Sequence, residues 1–308
     1  MRAVVIGVGH LGKHHARILA SLPGVTLAGV VDTDAERASQ VAAERGTTAY
    51  ADVREVPGKI DLAVVSVPTE SHASIAMGLI ESGIHTLVEK PVTQTLTEAD
   101  ALIAAAKTRG VVLAVGHSER FNPAVAAARP HLKDPRFIEV HRLGQLPGRS
   151  LDIDVVLDLM IHDIDLILSL VPSEVEGVEA VGVPVLTPRI DIANARVRFA
   201  NGCIANLTAS RISREPVRKI RFFQQDAYIS IDTAAREVEM WRLMPQPTGP
   251  PKIGGGKLEV AGDEALKGEL EDFLSAVRDG RPPTVTGEQG RAALALATRI
   301  VELMGHQL

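Results

Sequence analysis

MRAVVIGVGHLGKHHARILASL, residues 1–22, decides the fold. Ala3 to Ile6 is a short, continuous apolar run, as expected of a strand buried on both faces. GVGHLG follows at once, and a helical pattern follows that. A strand, a glycine turn and a helix in this order form G-x-G-x-x-G, with Gly7, Gly9 and Gly12 as the glycines. The first permits the tight turn, the second lets backbone approach a pyrophosphate, and the third lets helix pack close to strand. The helix start, with the amides of His10 and Leu11 beside the glycines, then offers N–H groups to the anion.

The pattern continues outward. VTLAGVVD is a second strand and ends in Asp32, 20 residues after Gly12. An acidic side chain there can accept hydrogen bonds from the adenosine ribose hydroxyls, and its charge repels a 2′-phosphate. NAD is therefore expected rather than NADP. AERASQVAAERG reads as a helix with a glycine stop, DLAVVSVPT as a strand and ESHASIAMGLIESG as a helix. IHTLVEKP is a strand, LTEADALIAAAKTRG a helix and VVLAVGH a strand. Strands alternating with helices predict an α/β fold with a doubly wound parallel sheet, a Rossmann domain over 1–118. Ligands of such sheets sit at the carboxyl ends of the strands. Gly7, Asp32, Pro68, Lys90 and His117 all lie at such ends. Thr69, His72 and Glu89 adjoin them and complete the expected cofactor rim, with a plain structural role as the alternative for His72 and His117.

From 119 to 308 the character changes. GHSERFNPAVAAA looks like a crossover, with Asn122 capping a helix that opens on Pro123. FIEVHRLGQ, VEGVEAVGVPVL, DIANARVRFA, GCIANLTASR, VRKIRFFQQ, AYISID and EVEMWRL then read as strands with short turns. The expectation is an α+β domain with a large, mostly antiparallel, open-faced sheet. ALKGELEDFLSAVRDG and EQGRAALALATRIVELM are closing helices assigned to the same domain. Helices on one face leave the other to pack against another subunit, as a dimer or tetramer. MPQPTGPPKIGGGK (244–257) reads as an exposed loop.

The 308 residues suffice for two cores, and 45% hydrophobic with 23% charged residues is an ordinary soluble profile. A net charge of −5 exerts no global pull toward nucleic acid or anionic membrane. No apolar stretch matches a membrane span, and a single cysteine, Cys203, fits a reducing cytoplasm.

One stretch resists the bland reading. LDLMIHDIDLIL (157–168) sets Asp158, His162, Asp163 and Asp165 among leucines and isoleucines. Burying an ionisable group costs several kcal/mol unless it is paired. At 100° per residue, Asp154, Asp158, His162 and Asp165 fall within about 80° of one another, and Asp163 points elsewhere. Three readings compete. Asp158 and His162 could satisfy each other as i, i+4 neighbours. They could hold a metal, although no H-x-x-x-H or E-x-x-H spacing supports that, and no metal is expected. Or they form an acid–base pair, because oxidising an alcohol releases a proton with the hydride.

GVGHLG at the start, EKP at 89–91, GHSERFNP at 116–123 and D-x-x-x-H at 158–162 together resemble the Gfo/Idh/MocA oxidoreductases, over nearly the whole chain. The resemblance implies NAD(P)-dependent oxidation or reduction of a sugar-type hydroxyl. It implies Lys90 between cofactor ribose and substrate, His162 as general base and Asp158 as its partner in holding the substrate. It also implies a cis Lys90–Pro91 peptide. GHSERFNPAV and VVLDLMIHDIDLILSLV are similar to the subgroup that oxidises the 3-hydroxyl of UDP-N-acetylglucosamine. A sugar nucleotide needs cations for its diphosphate. Arg120 and Arg149 are the first choices, with His117 and Asn122 beside them. Arg142 and the run Arg211, Arg214, Arg218, Lys219, Arg221 are further candidates, against their reading as charges on a strand face. His14 and His15 are expected to serve packing or face solvent. The rivals are a dehydrogenase of a free polyol or inositol and a non-catalytic NAD-binding regulator.

Overall fold

The computed structural model describes residues 1–145 and 153–305 and forms two units. The first unit holds six strands: β1 (Arg2–Ile6), β2 (Thr26–Val31), β3 (Ala49–Tyr50), β4 (Leu62–Val65), β5 (His85–Glu89) and β6 (Leu113–Gly116). They stand in the order β3-β2-β1-β4-β5-β6, and every pair is parallel. The connecting helices are α1 (Gly12–Ser21), α2 (Ala35–Arg45), α3 (His72–Glu81) and α4 (Leu96–Arg109), the last opened by a Thr95/Glu98 capping box. Alternate strand residues feed the two faces, as a period of two requires. Val5, Leu62 and Val64 join one core layer, while Val4, Ala63 and Val65 join the other. The expected doubly wound sheet is present.

In the second unit Asn122 caps α5 (Pro123–Ala128), its Oδ1 accepting from the Ala124 amide at 3.0 Å. Then come β7 (Phe137–Leu143), α6 (Ile161–Leu170), β8 (Val175–Val183), β9 (Ile192–Phe199), β10 (Ile204–Ser210), β11 (Val217–Phe223), β12 (Ala227–Asp232), β13 (Glu237–Met244) and β14 (Lys252–Lys257). The strand order is β14-β13-β12-β11-β7-β10-β9-β8. Neighbours are antiparallel except β7 and β10, which run parallel. One sheet face carries Ile138, Val140, Leu207, Ile220, Phe222 and Ile229 into a core with Met160, Ile161, Ile164 and Ile167. On the other face the register aligns Phe137, Phe223, Tyr228 and Trp241 across four strands.

Three expectations need correction. The loop reading of 244–257 missed β14, whose residues 252–257 pair with β13 as an edge strand despite three consecutive glycines. Residues before α6 do not follow the 100° wheel, because Val156–Met160 forms a π-helical turn. Such a turn advances fewer degrees per residue, and it is common at functional sites. Finally, α7 (Ala265–Asp279) belongs with the first unit, not the second. That unit comprises Met1–Ser118 and Leu266–Ala292; α8 (Gly287–Gly305) continues from Ala293 in the second. The physical reason is core membership: Leu270, Phe273 and Leu274 pack with Val5, Leu19 and Leu87.

Candidate active site

The glycine turn follows β1. Gly7 has φ +81°, and a side chain there would run into the Ser66 carbonyl. At Gly9 the opposite holds: an added Cβ would meet nothing within 4 Å. Backbone is thus open to a ligand at that position. Gly12 leaves no room for a side chain against the Gly7 carbonyl. The α1 helix starts at Leu11 without a side-chain cap or an acidic residue in its first turn, so a pyrophosphate fits its unsatisfied amide end. His10 is exposed on this turn, and Leu11 is half-buried.

Asp32 follows β2, and its side chain is buried. Oδ2 accepts from the Val8 amide at 2.8 Å and from Arg37 Nε at 3.0 Å. Oδ1 accepts from the Asp34 amide at 3.0 Å and from Arg37 Nη2 at 2.6 Å. Burial alone would raise its carboxyl pKa, but Arg37 and the two amides outweigh it and hold it below its ordinary value. Asp32 is thus an ionised acceptor at the expected place. Arg37 was missed in the sequence; its signal was its place on the first turn of α2, five residues after Asp32.

Pro68, exposed, and Thr69, half-buried, follow β4. His72 is held by backbone, in keeping with the structural alternative for it. It is buried, with Nδ1 2.9 Å from the Pro91 carbonyl oxygen and Nε2 2.9 Å from that of Val67. It ties the loop after β4 to the loop after β5. The Lys90–Pro91 bond is cis. Glu89 also turns inward: it is 6% exposed, and the His15 ring, itself fully buried, donates from Nε2 to Glu89 Oε1 at 2.7 Å. Lys90 stays half-exposed at the rim, and His117 is buried beyond β6.

In the second unit the acidic helix sorts itself. Asp163 pairs with Arg142, whose Nε and Nη2 lie at 2.7 and 2.8 Å, and Arg142 also reaches Glu119 at 3.1 Å. Asp165 pairs with Arg120 at 2.6 and 2.8 Å, both side chains buried. Asp154 accepts from the Ile190 amide at 3.0 Å. Asp158, on the π-helical turn, and His162, on α6, are half-buried, as is Asp154. The stripe therefore holds carboxylates paired with arginines or backbone, and Asp158 and His162 stand four residues apart beside them.

Most candidate cations for a diphosphate are engaged elsewhere. Arg120 is committed to Asp165, and Asn122 to its cap and to the Thr233 carbonyl at 3.0 Å. Arg211 is fully buried on Asp191 at 2.8 Å. Lys219 and Arg221 pair with Asp232 and Glu139 on the open sheet face, as the strand-face reading requires. Arg149 lies outside the described residues. Cys203 is buried, which pushes its thiol up to about 11 and makes it a packing residue.

Among the described residues no helix is long and apolar enough to cross a membrane. Residues 1–117 match the oxidoreductase family model with NAD-binding Rossmann fold, and 147–230 match a GFO/IDH/MocA C-terminal domain. The chain is 42% identical to UDP-N-acetylglucosamine 3-dehydrogenase of Acidithiobacillus ferrooxidans, over 97% of this chain and 96% of that one. A solved structure of that enzyme superimposes with a TM-score of 0.93, covering 99% and 97% of the two chains. The NAD(+)-dependent scyllo-inositol 2-dehydrogenase of Bacillus subtilis is 28% identical over 93% and 89%. With both domains matched in order and a relative aligned end to end, the chain belongs to the GFO/IDH/MocA oxidoreductase family.

Proposed function

We propose that the protein oxidises the 3-hydroxyl of UDP-N-acetylglucosamine with NAD as acceptor, with NADP disfavoured. The observation that carries the reading is that Asp158 and His162, both half-buried, stand i, i+4 where a π-helical turn runs into α6, beside Asp163 and Asp165, which are held by arginines. End-to-end similarity to a dehydrogenase of that sugar nucleotide supports the substrate. Gly7, Gly9, His10, Leu11 and Gly12 hold the pyrophosphate, Asp32 the adenosine ribose, and Pro68 and Thr69 flank the cofactor. When bound, the nicotinamide supplies the hydride acceptor. His162 takes the hydroxyl proton as general base, and Asp158 orients the ring or the sugar. Lys90 lowers the cost of charge developing on the substrate oxygen. The protein acts in the cytoplasm as a homo-oligomer joined through the open sheet face.

Oxidation of a secondary alcohol by NAD is often uphill, so the product must be trapped. The test incubates the protein with UDP-N-acetylglucosamine, NAD, glutamate and a sugar aminotransferase, and looks for the amino-sugar nucleotide by mass spectrometry. Product that vanishes with Lys90→Ala and His162→Ala is expected. No product beside a working aminotransferase control rejects this substrate and turns attention to free polyols.

A further inference from the structure

The buried His15–Glu89 pair does no work in the scheme above, yet it sits directly behind Lys90. Glu89 closes β5, and its Oε2 accepts from the Lys90 backbone amide at 3.2 Å. Its register partner on β6 is Gly116, where an added Cβ would lie 2.9 Å from Oε2 and 3.1 Å from the Glu89 Cα. The absence of a side chain at 116 makes the slot that the carboxylate fills. His15 comes from α1, three residues after the last glycine of the turn. A third group, Glu269 of α7, is also buried, and its carboxylate comes within 4.8 Å of donor atoms on both His15 and Glu89. Two carboxylates and one imidazole in a dry site form an electrostatically strong arrangement, since low dielectric magnifies each charge. Burial alone would raise the Glu89 pKa, but His15 and the nearby Lys90 charge outweigh it, so its carboxyl is held below the ordinary range.

We propose that His15 and Glu89 are positioning residues that fix the orientation and the charge of Lys90, and that they tie the lysine to the helix of the glycine turn. Neither touches substrate. Glu89 holds the Lys90 backbone through its amide and favours the ammonium through its charge, while His15 keeps the carboxylate ionised and aimed. The inference rests on the proposed role of Lys90, and its test separates the two.

The experiment titrates Lys90 by NMR on protein with 13C-dimethylated lysines, the signal being assigned by its loss in Lys90→Arg. Glu89→Gln and His15→Gln keep side chains of similar reach, so the fold is expected to survive. Gly116→Ala is a third route, pressing on the carboxylate without removing a charge. The expected result is a fall in the Lys90 pKa of about half a unit or more in Glu89→Gln, with a smaller fall in His15→Gln. Turnover should drop at least about tenfold through kcat, with KM for NAD changed less, and its pH profile should move with the Lys90 pKa. An unmoved Lys90 titration in the variants, with lowered melting temperature alone, overturns the proposal and makes the pair a packing element. A moved titration in a protein that oxidises no sugar keeps the positioning role and removes the catalytic reading instead.

Discussion

In the proposed cofactor site, Asp32 and Arg37 place opposing demands on an adenosine ribose. The carboxylate favours two hydroxyls and repels a phosphate, whereas the guanidinium that covers it would welcome one. All four acceptor directions of Asp32 are filled by Val8, Asp34 and two nitrogens of Arg37. A ribose bound as proposed displaces Arg37, whose side chain is 43% exposed. Arg37→Ala is expected to lower kcat/KM for NADP by about tenfold, a charge-assisted contact being worth somewhat over 1.4 kcal/mol, and to leave NAD equal or better. Asp32→Ala should weaken NAD and relax the rejection of NADP. The ratio of the two kcat/KM values checks both, and a ratio unchanged in both variants would mean that another residue reads the ribose. His162→Ala should retain cofactor binding, measured by NADH fluorescence, and lose turnover by at least ~100-fold. Near-normal turnover would remove the imidazole from the general-base role.

At the scale of elements, the start of the acid-bearing helix is held by a buried ion pair. Asp191 accepts from the Val185, Leu186 and Thr187 amides, and Arg211 donates to Asp191 and also to the Ile153 carbonyl at 2.8 Å. Ile190, next to Asp191, bonds both Asp154 and the Val155 amide. Arg211→Met leaves Asp191 without its guanidinium and is expected to cost about 3–5 kcal/mol, read from denaturant unfolding. The pH dependence has a definite sign. Burial raises the Asp191 pKa, but its amide, hydroxyl and guanidinium donors prevail and hold it well below the ordinary value. Its stabilisation is therefore complete above the unfolded carboxylate pKa of about 4 and is lost as pH falls below that. The gap in melting temperature between wild type and Asp191→Asn should narrow below about pH 4; a gap constant down to pH 2 would deny the linkage. This pair also marks what the sequence could and could not reveal. The parallel strands and the glycine turn were legible because apolar runs and glycine spacing are local signals. So was the need to satisfy the aspartates of 157–168. Their partners were not, because Arg142 and Arg120 meet Asp163 and Asp165 only through the fold. The π-helical turn left no mark on periodicity, and an edge strand containing Gly254, Gly255 and Gly256 contradicts strand propensity.

For the whole molecule, the open face of the second sheet is the surface on which the proposed homo-oligomer rests. Phe137 and Phe223 rings are 5.5 Å apart, Phe223 and Tyr228 5.2 Å, and Trp241 adjoins Tyr228 in register. Beside this aromatic row, Glu139 with Arg221 and Asp232 with Lys219 supply both signs of charge, which suits a self-complementary contact. In sedimentation velocity the wild-type protein is expected to sediment as the proposed oligomer and the Phe223→Asp, Trp241→Glu double variant as a monomer, while circular dichroism stays native. A wild-type protein that sediments as a monomer at micromolar concentration would refute the interface. The return of α7 to the first unit bears on synthesis. When Ser118 emerges from a ribosome, the sheet order is complete, but the layer that Leu270, Phe273 and Leu274 close has only its α1 and α2 residues, among them Leu19 and Val41. Roughly 150 residues separate the two segments, on the order of 10–30 s at ordinary elongation rates. Throughout that interval the nascent dinucleotide-binding unit holds Val5, Leu19 and Leu87 in a helical layer that α7 has yet to complete, so this part of its core closes last.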